Sequence, residues 1–92
     1  MTPETASALA LDAITWMAAE ADLLEVFLNA SGISAEALKA GIAEPEIHAA
    51  VLDFVLMDDA WVLAAAAHAG CDPHDLNRAR QCLPGGALPH WT

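Results

Sequence analysis

The stretch ASGISAEALKAGI, residues 30–42, decides how the fold is interpreted. It has the pattern of a helix that ends at Gly32 and of a second helix that begins after Ser34. Glycine is the usual residue at a left-handed helix C-terminus, and serine is a preferred N-cap. The same pattern recurs at Gly70 and Asp72. The sequence therefore predicts tight corners between helices at Gly32 and Gly70.

The composition indicates an all-α fold. The chain has 92 residues, of which 57% are hydrophobic, with no Tyr and much Ala, the strongest helix former. This length suits one domain. Start signals divide residues 1–83 into a compact bundle of five to six short helices, beginning near Pro3, Asp22, Ser34, Pro45, Asp58 or Asp59, and Asp72.

The helical pattern repeats along the chain. A shift of thirty-eight residues places Gly32 on Gly70, Ser34 on Asp72 and Leu38 on Leu76. We interpret residues 6–42 and 44–80 as two pseudo-repeats with helix-turn-helix-like corners. Each unit would bury its apolar face against the other, because a unit of this size needs a neighbour to cover it.

Two helices of the second repeat carry more apolar residues than one face needs. Residues 60–67 have no polar side, so this helix is expected at the centre of the core. The helix from Pro45 to about residue 57 is apolar almost all round. We expect Leu52, Leu56 and Met57 to exceed what a small core can cover and to form an interaction surface, most simply in a homodimer.

The segment LPGGALPHWT closes the sequence, and residues 84–92 form its tail. Its Gly and Pro residues exclude regular structure. Trp91 would waste a large apolar area if the tail stayed in solvent, so we expect the tail to pack back on the core. The alternative is that Trp91 docks on another protein.

The net charge of −10, from 13 acids and three bases, limits the partners. Nucleic acids and anionic membranes bind through Lys and Arg, so both are disfavoured. A protein partner, possibly basic, fits better. A helix-turn-helix-like nucleic-acid regulator remains an alternative because Asn77, Arg78 and Arg80 follow the second corner.

His68, Cys71 and His74 are weak candidates for a metal site, since their side chains can bind zinc. Gly70 and Pro73 interrupt the helical spacing between them, so convergence is not assured. A metal-binding protein therefore remains a further alternative, although we predict no metal and no cofactor. Catalysis is not expected, because no nucleophile–base arrangement or phosphate-binding loop is readable from the spacing.

The cellular location is predicted to be the cytoplasm. No run of about twenty apolar residues is present for a membrane span, and no signal peptide is visible. Cys71 and Cys82 do not form a disulfide-scaffold pattern, which favours a reducing compartment.

Three segments together resemble a family of small uncharacterised bacterial proteins, one of the numbered domains of unknown function. They are AAEADLLEVFLNASGIS, AAVLDFVLMDDAWVLAAAAHAG and LPGGALPHWT, and the resemblance covers nearly the entire chain. The tail is the most specific part. The resemblance implies an all-helical cytoplasmic protein, and it brings no activity, cofactor or binding residues.

Overall fold

Six α-helices follow one another in the computed structural model, which describes residues 1–20 and 22–84. No strand occurs among these residues, and the all-α prediction is confirmed. The helices are α1 (Pro3–Ala19), α2 (Leu23–Ser31), α3 (Ala35–Ala40), α4 (Pro45–Val55), α5 (Asp59–Ala69) and α6 (Pro73–Gln81).

The helix ends follow the capping signals in the sequence. Thr2, Ser34, Asp58 and Asp72 each accept a hydrogen bond from a backbone N–H of the first turn. These bonds satisfy donors that have no partner within a helix. Asp22 also precedes a helix, but it adopts a left-handed conformation and makes no side-chain cap.

Both predicted corners are left-handed glycine caps. The φ angle is 78° at Gly32 and 73° at Gly70, a region that L side chains seldom adopt. The N-caps Ser34 and Asp72 follow each glycine at the same distance, so helices α2–α3 and α5–α6 have the same thirty-eight-residue register. The pseudo-repeats over residues 6–42 and 44–80 themselves stay a prediction.

Helix α4 lies at the centre of the core together with α1, and α5 does not. It contacts α1, α2, α5 and α6, and six of its residues are buried. In α5 only Ala65 and Ala66 are buried, and Leu63 is 60% exposed. The expectation of a central α5 was therefore wrong. Alanine buries little apolar area, so bulky residues such as Leu, Phe and Val decide which helix is enclosed.

Leu52 was also wrongly assigned to an interaction surface. Its side chain is fully buried, because four neighbouring helices cover the sides of α4 that one small core was expected to leave open. Leu56 is partly buried and Met57 is 74% exposed. Only these two of the three described candidates reach the surface.

Three aromatic rings join the two halves of the chain. Phe54 of α4 packs edge-on against Phe27 of α2, with ring centroids 5.4 Å apart. Its other side stacks on Trp61 of α5, with centroids 4.6 Å apart. These separations lie in the favourable range for aromatic pairs. Phe54 thus connects α2 and α5 through α4.

Candidate interaction surface

The candidate metal ligands do not form a metal site. His68 lies in the last turn of α5 and His74 in the first turn of α6; both are exposed, and Cys71 between them is partly buried. Within residues 1–20 and 22–84 no group of three or more His, Cys, Asp or Glu side chains could hold a metal ion. The metal-binding alternative therefore has no site in this part of the chain.

Cys71 lies in an environment that disfavours its thiolate. Burial raises the pKa of its thiol, and the carboxylates of Asp75, Asp72 and Asp12 raise it further. Because the thiolate is the reactive nucleophile and the metal-binding form, this environment weakens both roles.

Arg78 and Arg80, which follow the second corner, form hydrogen-bonded ion pairs with acidic side chains. Arg78 donates to Asp75, with 3.2 Å between Nη1 and Oδ1. Arg80 donates to both carboxylate oxygens of Asp53, at 2.5 Å from Nε and 3.2 Å from Nη2. Phosphate binding would have to compete with these intramolecular partners. The helix-turn-helix alternative stays a prediction.

An apolar surface runs along the outer side of α5. We call it the α5 face; it consists of Ala60, Leu63, Ala64 and Ala67, all exposed. Their spacing of three and four residues places them on one side of the helix. Residues 60–67 contain no charged or polar side chain. Polarity alone could not predict this face, because both sides of α5 have the same pattern.

A cleft adjoins the α5 face where α5 packs against α6. This α5–α6 cleft has a volume of about 550 Å³ and shares Leu63 with the face; its other lining residues are Leu56, Asp59, Val62, Pro73, His74 and Asn77. In this cleft the apolar side chains lie beside the polar side chains of Asp59, His74 and Asn77. The two features together offer one semi-apolar surface built around Leu63.

A smaller groove lies on another part of the molecule, between α2 and α4. This α2–α4 groove has a volume of about 260 Å³ and is lined by Ala30, Ser31, Ala50, Asp53, Phe54 and Met57. Met57, predicted to take part in interaction, forms part of its wall. Trp91, the remaining predicted interaction residue, lies outside the described residues, as does the tail from residue 85 onwards.

The sequence matches one known protein family. A family model described as "Protein of unknown function (DUF3572)" matches residues 3–86, which is most of the sequence. The chain belongs to this family. No curated protein and no solved structure matches it significantly. DUF3572 membership agrees with the predicted resemblance to a domain of unknown function and attaches no activity to any residue.

In the described part of this DUF3572 protein, no helix combines the length and the hydropathy that crossing a bilayer requires.

Proposed function

We propose that this protein is a small acidic interaction module, and not an enzyme, which self-associates as a homodimer through the α5 face. One observation carries the proposal: an apolar helix face with Leu63 at 60% exposure and no polar residue from 60 to 67. Contiguous exposed apolar surface on a small protein often marks a protein interface.

A two-fold axis through the middle of α5 would make the face complementary to itself. In an antiparallel pair, Leu63 contacts Leu63 of the second copy, and Ala60 contacts Ala67 of the second copy. An isologous interface uses the same patch on both subunits in this way. Three alanines around one leucine also let the two helices approach closely.

The charge distribution distinguishes a second copy from a basic partner. Each chain has a net charge of −10, so two copies repel each other, while the α5 face itself is uncharged. Salt screens this repulsion, and self-association should therefore tighten as ionic strength rises. Binding of a basic partner should weaken instead.

The proposed location is the cytoplasm of a bacterium. Cys71 and Cys82 are free thiols in the structure, which suits a reducing compartment. The acidic surface supports solubility there and disfavours unspecific binding to nucleic acid.

The test is sedimentation equilibrium of the full chain at micromolar concentration and two salt concentrations. We expect a dimer that Leu63→Glu converts to a monomer, because the variant places two carboxylates at the two-fold axis. Val26→Glu is the matched control: Val26 is 45% exposed on α2 and away from the α5 face. A monomeric natural chain, or a dimer unaffected by Leu63→Glu, would refute the proposed interface.

A further inference from the structure

The α5–α6 cleft combines apolar walls with one carboxylate. Leu56, Val62 and Pro73 line it and are partly buried, and Leu63 lies exposed at its edge. Asp59 is in the first turn of α5, four residues before Leu63, so the two side chains are neighbours on the helix surface. A segment that fills the cleft therefore needs apolar side chains beside a group that suits a negative charge.

No cationic side chain of the protein neutralises this carboxylate in the cleft. The lining residues include no Lys or Arg. Of the three bases in the chain, Lys39 belongs to α3, while Arg78 and Arg80 pair with acids that do not line the cleft. The other polar lining residues, His74 and Asn77, carry no permanent positive charge. The cleft is therefore complementary to a cation supplied from outside the chain.

We propose that the α5–α6 cleft binds a basic amphipathic segment of a partner protein, with an aliphatic side chain against Leu56 and Val62 and an arginine at Asp59. The fork of a guanidinium matches a carboxylate, and the aliphatic stem of the arginine can cover Leu63. The net charge of −10 attracts such a segment. A nucleic acid would instead bring its phosphates against Asp59.

This binding site goes beyond the proposed dimer and shares only Leu63 with it. Ala64 and Ala67 belong to the α5 face and do not line the cleft, whereas Asp59 and Asn77 line the cleft and lie outside the face. Each site therefore has residues of its own. Ala67→Glu disrupts the face and leaves the lining of the cleft unchanged, so binding can be measured with and without the dimer.

Methyl NMR titration of the full chain and of Ala67→Glu tests the proposal. The probe is a synthetic peptide with two copies of the heptad Leu-Arg-Ala-Leu-Ala-Arg-Ala. One control peptide has glutamine in place of arginine, and the other has alanine in place of leucine. We expect the first peptide to displace the Val62 and Leu63 methyl resonances, with binding that weakens as salt rises, and both control peptides to bind more weakly.

Charge reversal at the cleft gives the decisive comparison. Asp59→Lys should weaken binding of the basic peptide roughly fivefold or more, because lost attraction and new repulsion add. Asp59→Asn should have a smaller effect in the same direction. Glu46→Lys is the matched control: it changes the net charge equally in the first turn of α4, about 15 Å along that helix from Leu56.

Three results would overturn the proposal. Equal weakening by Asp59→Lys and Glu46→Lys would show only unspecific attraction to an acidic surface. Unchanged Val62 and Leu63 resonances at saturating peptide would show that the cleft is not the site. Displacement of the Val62 resonance by rising protein concentration alone would place a second copy in the cleft. A dimer in sedimentation together with any of these results would leave the proposed function standing.

Discussion

The Nδ1 atom of His48 lies 3.0 Å from the hydroxyl oxygen of Ser7, forty-one positions earlier in the chain. The Nε2 atom lies 2.6 Å from the carbonyl oxygen of Ile42. A carbonyl can only accept, so Nε2–H donates to it, and Nδ1 forms the second hydrogen bond of the ring, with the Ser7 hydroxyl. His48 is 2% exposed and is the buried polar side chain among residues 1–20 and 22–84. It thereby ties α1 and the turn before α4 to the core.

Replacing His48 should therefore destabilise the protein. His48→Ala removes both hydrogen bonds and leaves a cavity, so we expect the free energy of unfolding to fall by about 1–3 kcal/mol. His48→Gln retains one donor and one acceptor and should lose less. Urea unfolding measures the effect, with His68→Ala as the exposed control. Equal stability of the His48 and His68 variants would contradict this role.

Leu52→Ala tests the placement of α4 at the centre. Leu52 is fully buried, so its truncation should lower the free energy of unfolding by roughly 2–5 kcal/mol. Val26→Ala, at an exposed site on α2, should change it by less than about 0.5 kcal/mol. Chemical unfolding of both variants supplies the comparison. A small effect at Leu52 would mean that this position reaches the surface after all.

The corner glycines should tolerate different substitutions from Gly41. At Gly32 and Gly70 an added Cβ meets no atom within 4 Å. Substitution by alanine should therefore lower the free energy of unfolding only by the cost of the left-handed backbone conformation, about 1–2 kcal/mol. Asparagine, which tolerates this conformation better, should recover part of that loss. At Gly41 an added Cβ would lie 3.0 Å from Cγ1 of Ile47. Thermal unfolding measures the stability of these variants. If the asparagine variant is more stable than the alanine variant at Gly41 as well, the distinction between Gly41 and the corner glycines is wrong.

The Asp53–Arg80 pair should contribute little to stability in spite of its two hydrogen bonds. The Asp53 side chain is 59% exposed, so solvent screens the attraction. A double-mutant cycle with Asp53→Ala and Arg80→Ala should give a coupling energy of about 0.2–1 kcal/mol that declines with salt. A larger, salt-independent coupling would show that the pair is shielded from solvent.

Cys71 should react slowly and affect stability only at alkaline pH. Its pKa is raised above the ordinary 9.0 by burial first and by nearby acids second. The folded protein thus holds the thiol proton more tightly than the unfolded chain. Stability from this site is complete below the ordinary thiol pKa and is lost as pH rises through the folded pKa.

Alkylation by iodoacetamide at several pH values measures the Cys71 effect. Asp12→Asn should accelerate the reaction slightly, and Asp75→Asn should do so more, because Asp75 is the largest of the three acid contributions. Cys82→Ala removes the second thiol from the readout. Reaction at the rate of an unfolded thiol would contradict the raised pKa.

Local signals in the sequence predicted the helices and their ends well. Backbone conformation and helix capping act within a few residues, as at Gly32, Gly70, Ser34 and Asp72. Their effect can therefore be predicted from the sequence without knowledge of the tertiary structure. The start of α1 at Pro3 after Thr2 was predicted for the same reason. The end of α4 at Val55, two residues earlier than expected, was not, since no strong stop signal marks it.

Burial was harder to predict: α5 was expected at the centre of the core and α4 at an interaction surface, whereas the structure buries α4 and exposes one side of α5. Both helices look apolar on all sides in the sequence. The candidate surface on α5 and the buried Leu52 follow from which helices surround each element, and that depends on packing of distant segments. His48 was missed as a buried residue because its partners, Ser7 and the Ile42 carbonyl, are not adjacent in sequence.

Short-range chemistry in this chain therefore specifies an acidic set of helices with two glycine corners, because capping, propensity and charge belong to single residues and their near neighbours. Tertiary packing alone decided that α4 is enclosed, that one side of α5 is open, and that Arg80 joins Asp53 to Pro84. Those features depend on long-range contacts, which no local pattern of apolar residues encodes.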